Sequence, residues 1–167
     1  AGVASMSHDA TTGTAVGYAE IDLACGGLRP GAVWVLGAPT NWGKSSWLLS
    51  VADSCISTGR SVLIVTCEDD PVMLAARHVC RNANIKGSNA RHGRLTAEEQ
   101  AAAAQLLADT PATSSPIVAD GRGRFVETIC EQVRHLHARN PIQVVLVDYL
   151  QCISTESKYD DRRGQIN

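Results

Sequence analysis

Gly43-Lys44-Ser45-Ser46 places a flexible residue, an ammonium and two hydroxyls in succession, a pattern suited to the phosphates of a nucleoside triphosphate. The loop opens at Gly37 and runs through Ala38, Pro39, Thr40, Asn41 and Trp42. The loop from Ala38 to Ser46 can wrap the phosphates with its backbone N–H groups, Pro39 excepted, and the positive end of a following helix favours their charge. Lys44 is expected to reach the β and γ oxygens, and Ser45 to ligate Mg²⁺. The pattern's first position is Ala38 rather than glycine, with Gly37 one residue early. The competing reading is a chance match. An apolar run before the loop, Ala32-Val33-Trp34-Val35-Leu36, and a helical pattern after it favour a true phosphate loop.

Two carboxylates stand where a second half of such a site belongs. Asp148 ends the apolar run Val144-Val145-Leu146-Val147, the form in which a strand delivers one carboxylate toward Mg²⁺. Its plainer reading is a turn cap. Glu68 follows the run Ser61-Val62-Leu63-Ile64-Val65-Thr66 by two residues and is placed to orient and deprotonate an attacking water. Asp69 and Asp70 adjoin it, so residue type alone does not choose among the three. Asp70-Pro71 reads as an N-cap and first helical residue, which assigns Asp70 to structure and leaves Glu68 either a base or a solvated loop acid.

The elements that must position these groups alternate between strand and helix. The first core strand is expected over Ala32–Leu36, and a helix over Ser45–Ser57 ends at Gly59. Further strands are expected over Ser61–Thr66, Pro116–Asp120 and Val144–Asp148, the first and last apolar enough to be buried on both faces. Helices are expected from Pro71 to about Arg81, from a capping box at Thr96-Ala97-Glu98-Glu99 to Asp109, and around Val126, Ile129, Cys130, Val133 and Leu136. A short element and a turn cover Gly17–Gly31, and residues 1–16 read as a flexible lead-in. This order implies an α/β fold with a mainly parallel sheet flanked by helices.

Composition sets the bounds. The 167 residues suit one core, and seven aromatics leave it mainly aliphatic. Fifteen basic against seventeen acidic residues give no global attraction to nucleic acid, so any DNA contact must be local. Six cysteines lack a C-x-x-C pair and read as reduced thiols. No stretch is apolar and long enough to span a membrane, and a cytoplasmic location is expected.

Four segments together resemble the ATPase domain of DnaB-type replicative DNA helicases, a branch of the RecA-like ATPases. They are Gly26-Gly27-Leu28-Arg29-Pro30-Gly31, Gly37 to Ser45, Thr66-Cys67-Glu68, and Asp148-Tyr149-Leu150-Gln151. Arg162-Arg163-Gly164-Gln165-Ile166 is similar to the start of the family's next helix. The resemblance spans residues 13 to 167 and implies a RecA-like P-loop NTPase core over 17–167. It implies that Lys44 and Ser45 bind phosphate and Mg²⁺, that Glu68 is the catalytic base, with Lys44 the other catalytic residue, and that Asp148 assists the metal. It further implies ATP as cofactor, single-stranded or forked DNA as partner, and a homo-hexamer.

The sequence departs from the family where Pro39-Thr40-Asn41-Trp42 omits an interior glycine, although Asn41 tolerates a left-handed backbone. Cys67-Glu68-Asp69 replaces a common Leu-Glu-Met. The resemblance also implies that the polypeptide continues past Asn167 with another strand, a polar sensor, DNA loops and an arginine for the neighbouring subunit. Lys158, Arg162 and Arg163 read as solvated charges before DNA contacts. His135 and His137 read as surface histidines, and Arg77 as an intrahelical partner or a family feature. A RecA-like recombinase, or a helicase-derived ATP-binding loader or nuclease-associated module, stands as the alternative function.

Overall fold

The computed structural model describes residues 13–111, 114–149 and 153–155. Two compact units divide the chain after Gly59.

In the first unit, Thr14 and Leu28 form an antiparallel bridge, exchanging N–H···O bonds of 2.8 Å in both directions. Gly27 permits it: a Cβ there would lie 2.8 Å from the Thr14 carbonyl oxygen, and its φ of 74° is left-handed. Helix α1 (Ala19–Cys25) follows, and its Asp22 carboxylate accepts the N–H groups of Val16 at 2.8 Å and Gly17 at 3.1 Å. Helix α2 (Lys44–Ser57) buries Leu49, Val51, Ala52 and Cys55, residues spaced along one stripe. It stops where expected, with Gly59 at φ 76°. The Tyr18 and Trp47 rings stack at 5.9 Å, joining the approach to α1 with the first turn of α2.

The strand expected over Ala32–Leu36 is not formed. The run carries no strand pairing, and Val33 and Val35 are 87% and 80% exposed. An apolar β-branched sequence favours an extended backbone, but a strand also needs a ladder partner, and none stands beside this run among the described residues.

The second unit holds the sheet. Among the described residues, β1 (Val62–Thr66) lies between β2 (Ile117–Asp120) and β3 (Val144–Asp148), parallel to both. Every residue of β1 is buried, as its unbroken apolar run requires. Helices α3 (Pro71–Asn82), α4 (Gly87–Arg91) and α5 (Ala97–Asp109) connect β1 to β2, and α6 (Val126–Arg139) connects β2 to β3. One core joins Leu63, Val65, Cys67 and Ala119 of the sheet region to Ile129 of α6 and to Ile142, with Val133 and Leu136 packed against it.

Local signals set the helix boundaries. Asp70 accepts the Val72 N–H at 2.9 Å with Pro71 in the first turn, and Thr96 and Glu99 close a reciprocal capping box. Short α4 lacks a side-chain cap and a buried residue, which is why no periodic signal marks it. Strand β3 corrects a second expectation. Val144 and Asp148 are buried, but Val145 and Val147 are 43% and 39% exposed, so the described residues do not cover the strand on both faces. Its apolar run states a preference for burial without supplying the element that would cover it.

Candidate nucleotide-binding site

In the first unit, the candidate phosphate-binding element is the loop before α2. Asn41 and Gly43 both take left-handed φ values, 65° and 85°. Asparagine therefore fills the position from which the interior glycine is missing. These two residues turn the chain sharply into α2, which begins at Lys44 and runs for 14 residues. Its first N–H groups lack intrahelical partners and face the loop end, the arrangement that attracts anions. The Lys44 ammonium donates to the carbonyls of Ala38 at 3.0 Å and Pro39 at 3.1 Å, so it already lies across the loop it closes. Ser45 is half-buried, Ser46 is exposed, and the Trp42 indole is 77% exposed.

In the second unit, the candidate residues lie at the carboxyl edge of the sheet. Register pairs Thr66 with Asp120 on one side and with Asp148 on the other, so three polar residues stand at one level on adjacent strands. Asp148 is 5% exposed, and its carbonyl accepts the Cys67 N–H at 2.6 Å. The strand that carries Asp148 is thereby tied to the turn that carries Glu68. Glu68 is exposed and has no hydrogen-bond or ion-pair partner among the described residues.

Its neighbours are engaged. Asp69 pairs with Arg77 at 2.6 Å, and Asp70 caps α3 and lies 3.2 Å from Arg122. The three adjacent acids that residue type leaves undistinguished thus differ in their partners, Asp69 and Asp70 being paired. Arg77 pairs outside its own helix, contrary to the intrahelical expectation. Its partner precedes Pro71 and so belongs to the turn.

A matching family model, the DnaB-like helicase C-terminal domain, covers residues 13–167. The chain belongs to that family. It is 28% identical over 155 residues to the replicative DNA helicase DnaC of Bacillus subtilis (strain 168), and 24% identical over 155 residues to DnaB of Geobacillus stearothermophilus. Each alignment takes in 92% of this chain and 34% of the relative, so the chain spans about a third of those proteins. Among solved structures, one ATPase domain superposes with a TM-score of 0.83 at 21% identity, covering 96% of this chain and 57% of that one. A DnaB-like replicative helicase studied with primase gives 0.81 at 22%, covering 94% and 38%. The expected α/β architecture, a parallel sheet flanked by helices in the RecA-like manner, is the fold of this DnaB-like domain.

Sequence reasoning missed two features of the DnaB-like site region. Asp120 ends β2 in the same way that Asp148 ends β3, a signal available from the strand pattern. Arg122 bonds Asp120 at 3.0 and 2.8 Å, and this hydrogen bonding holds the Asp120 carboxyl down at about 2. That pairing makes Asp120 a fixed structural anion.

His135 and His137 are exposed as expected, although His137 also has a structural task. Its Nδ1 lies 3.0 Å from the Ile142 nitrogen, bracing the turn from α6 into β3. Cys55, Cys67 and Cys80 are buried, and Cys25 and Cys130 are exposed. Among the described residues no helix is long and apolar enough to cross a membrane. Leu150, Gln151, Cys152, Lys158 and Arg162–Ile166, together with most of the lead-in, lie outside the described residues.

Proposed function

We propose that this domain is the ATP-hydrolysing motor of a replicative DNA helicase, acting in the cytoplasm on single-stranded or forked DNA as part of a homo-hexamer. The phosphate loop carries this reading: Asn41 and Gly43 in left-handed conformations lead directly into the N-terminus of α2, with Lys44 across the loop. Family membership and relatives named as replicative DNA helicases support the reaction class.

On this reading, backbone N–H groups of Ala38 and of Thr40 through Ser46 bind the phosphates, and Lys44 exchanges its contacts with the Ala38 and Pro39 carbonyls for β and γ oxygens. Ser45 and Asp148 would hold Mg²⁺, and a hydroxyl and a single carboxylate are the oxygen donors that this ion takes alongside water and phosphate. The ion supplies charge neutralisation at the transferred phosphoryl group. Glu68 orients the attacking water and accepts its proton, a role open to the one acid of the turn whose carboxylate is uncommitted among the described residues.

The test is Mg²⁺-dependent ATP hydrolysis by the full-length protein with and without single-stranded DNA. Turnover stimulated by DNA and abolished in Lys44→Ala is expected. Tight ATP binding without DNA-stimulated turnover would point instead to a loader or binding module. Helical filaments on single-stranded DNA in electron micrographs, in place of closed rings, would point to a recombinase.

A further inference from the structure

The turn after β1 carries three consecutive acids, and the structure uses them unequally. Asp69 presents its carboxylate to the Arg77 guanidinium through two contacts, 2.6 Å to Nη1 and 3.4 Å to Nη2. Both side chains are about two-thirds covered, so the pair is less screened than an ordinary surface ion pair. The same residue is held from behind, because Thr66 Oγ1, in a fully buried residue, donates to the Asp69 carbonyl at 2.8 Å. Asp70 is fixed by the Val72 N–H and by Arg122, which also grips Asp120 at the end of β2. At the other end of the turn, the Cys67 N–H is bonded to the Asp148 carbonyl. Glu68 therefore projects from a peptide whose two flanks are both anchored, and its side chain alone is uncommitted among the described residues.

We infer that Arg77 and Asp69 form a positioning pair for Glu68, fixing the turn that aims its carboxylate and withdrawing the neighbouring acid from competition with it. Arg77 reaches the turn from the second turn of α3, so the pair couples that helix to the residue beside the base through a planar, two-point contact that lysine cannot reproduce. Loss of either partner frees a second carboxylate or a guanidinium next to Glu68 and leaves Thr66 Oγ1 as the remaining hold on residue 69. A base misplaced by a fraction of an ångström loses rate while the phosphate loop, built from other residues, keeps its affinity. This inference rests on the reading of Glu68 as the base of ATP hydrolysis.

The experiment measures kcat, nucleotide Kd and thermal midpoint on the full-length protein for Arg77→Ala, Asp69→Asn, the double variant, Arg77→Lys and the exchanged pair Asp69→Arg with Arg77→Asp. Glu68→Gln serves as reference. Expected are a fall of about ten- to a hundredfold in kcat for each single variant, with nucleotide Kd within about threefold of the parent. The double variant should lose no more than the worse single one, because both remove the same interaction. The exchanged pair should recover most of the rate, and Arg77→Lys only part of it.

Unchanged kcat in Asp69→Asn and Arg77→Ala, with Glu68→Gln inactive, would overturn the pairing while leaving the base assignment standing. If Glu68→Gln itself keeps full turnover, the reading beneath the inference fails instead. A lower thermal midpoint with kcat retained in the folded fraction would reduce the pair to a brace for α3, which also overturns the inference. Should Arg77→Ala not fold, Asp69→Asn carries the same test.

Discussion

Asp120 and Arg122 are two residues apart and bonded side chain to side chain, a contact short enough in sequence to form as soon as β2 turns. The bond lowers the Asp120 carboxyl from 3.8 to about 2. A depressed folded-state value means that this pair stabilises the fold above 3.8 and loses that contribution as the pH falls toward 2. Thermal midpoints of the parent and Asp120→Asn should therefore differ at neutral pH and converge on acidification. A gap that stays constant down the whole range would refute the assignment. Glu68 is the converse case: in the proposed role of base its partner would be a ligand, and local sequence pattern has no means of marking a side chain kept uncommitted. The charges that commit its neighbours come from Arg77 and Arg122, eight and fifty-two positions beyond Asp69 and Asp70. Those partners were not legible in the sequence for that reason.

Helix boundaries were far more legible. Asp70-Pro71 and Thr96-to-Glu99 each encode a start within four residues, and the structure honours both. Strand identity behaved differently. Ser61–Thr66 and Val144–Asp148 form where their apolar runs lie, but Ala32–Leu36, an equally apolar run, remains unpaired. A strand is a relation between two segments, and the second segment is not written in the first. Helix α5 shows how much a local signal can carry. None of its residues is buried, so its order depends on alanine-rich propensity and on the capping box more than on packing. Thr96→Ala should cost about 1 kcal/mol, confined to that helix. Amide exchange within residues 97–109 should quicken by about fivefold, with the core amides of β1 unchanged. Equal protection in parent and variant would show that tertiary contacts, and not the cap, hold the helix.

At the scale of the whole molecule, the two units carry different candidate elements. The first carries a loop and helix N-terminus suited to phosphate. The second carries a parallel sheet whose carboxyl edge lines up Asp120, Thr66 and Asp148 beside the Glu68 turn. Ligands in such sheets gather at that edge, which is why residues far apart in sequence could be assigned one function from their positions after strands. The motor proposed above would divide its labour, with Lys44 holding ATP and Glu68 hydrolysing it. Retention of radiolabelled Mg²⁺·ATP, followed alongside single-turnover hydrolysis in Glu68→Gln and Lys44→Ala, reads the two roles separately. Glu68→Gln should keep nucleotide with near-parental affinity and cleave it at least about a hundredfold more slowly, whereas Lys44→Ala should fail to retain it. Parental cleavage by Glu68→Gln, or undiminished retention by Lys44→Ala, would refute that division.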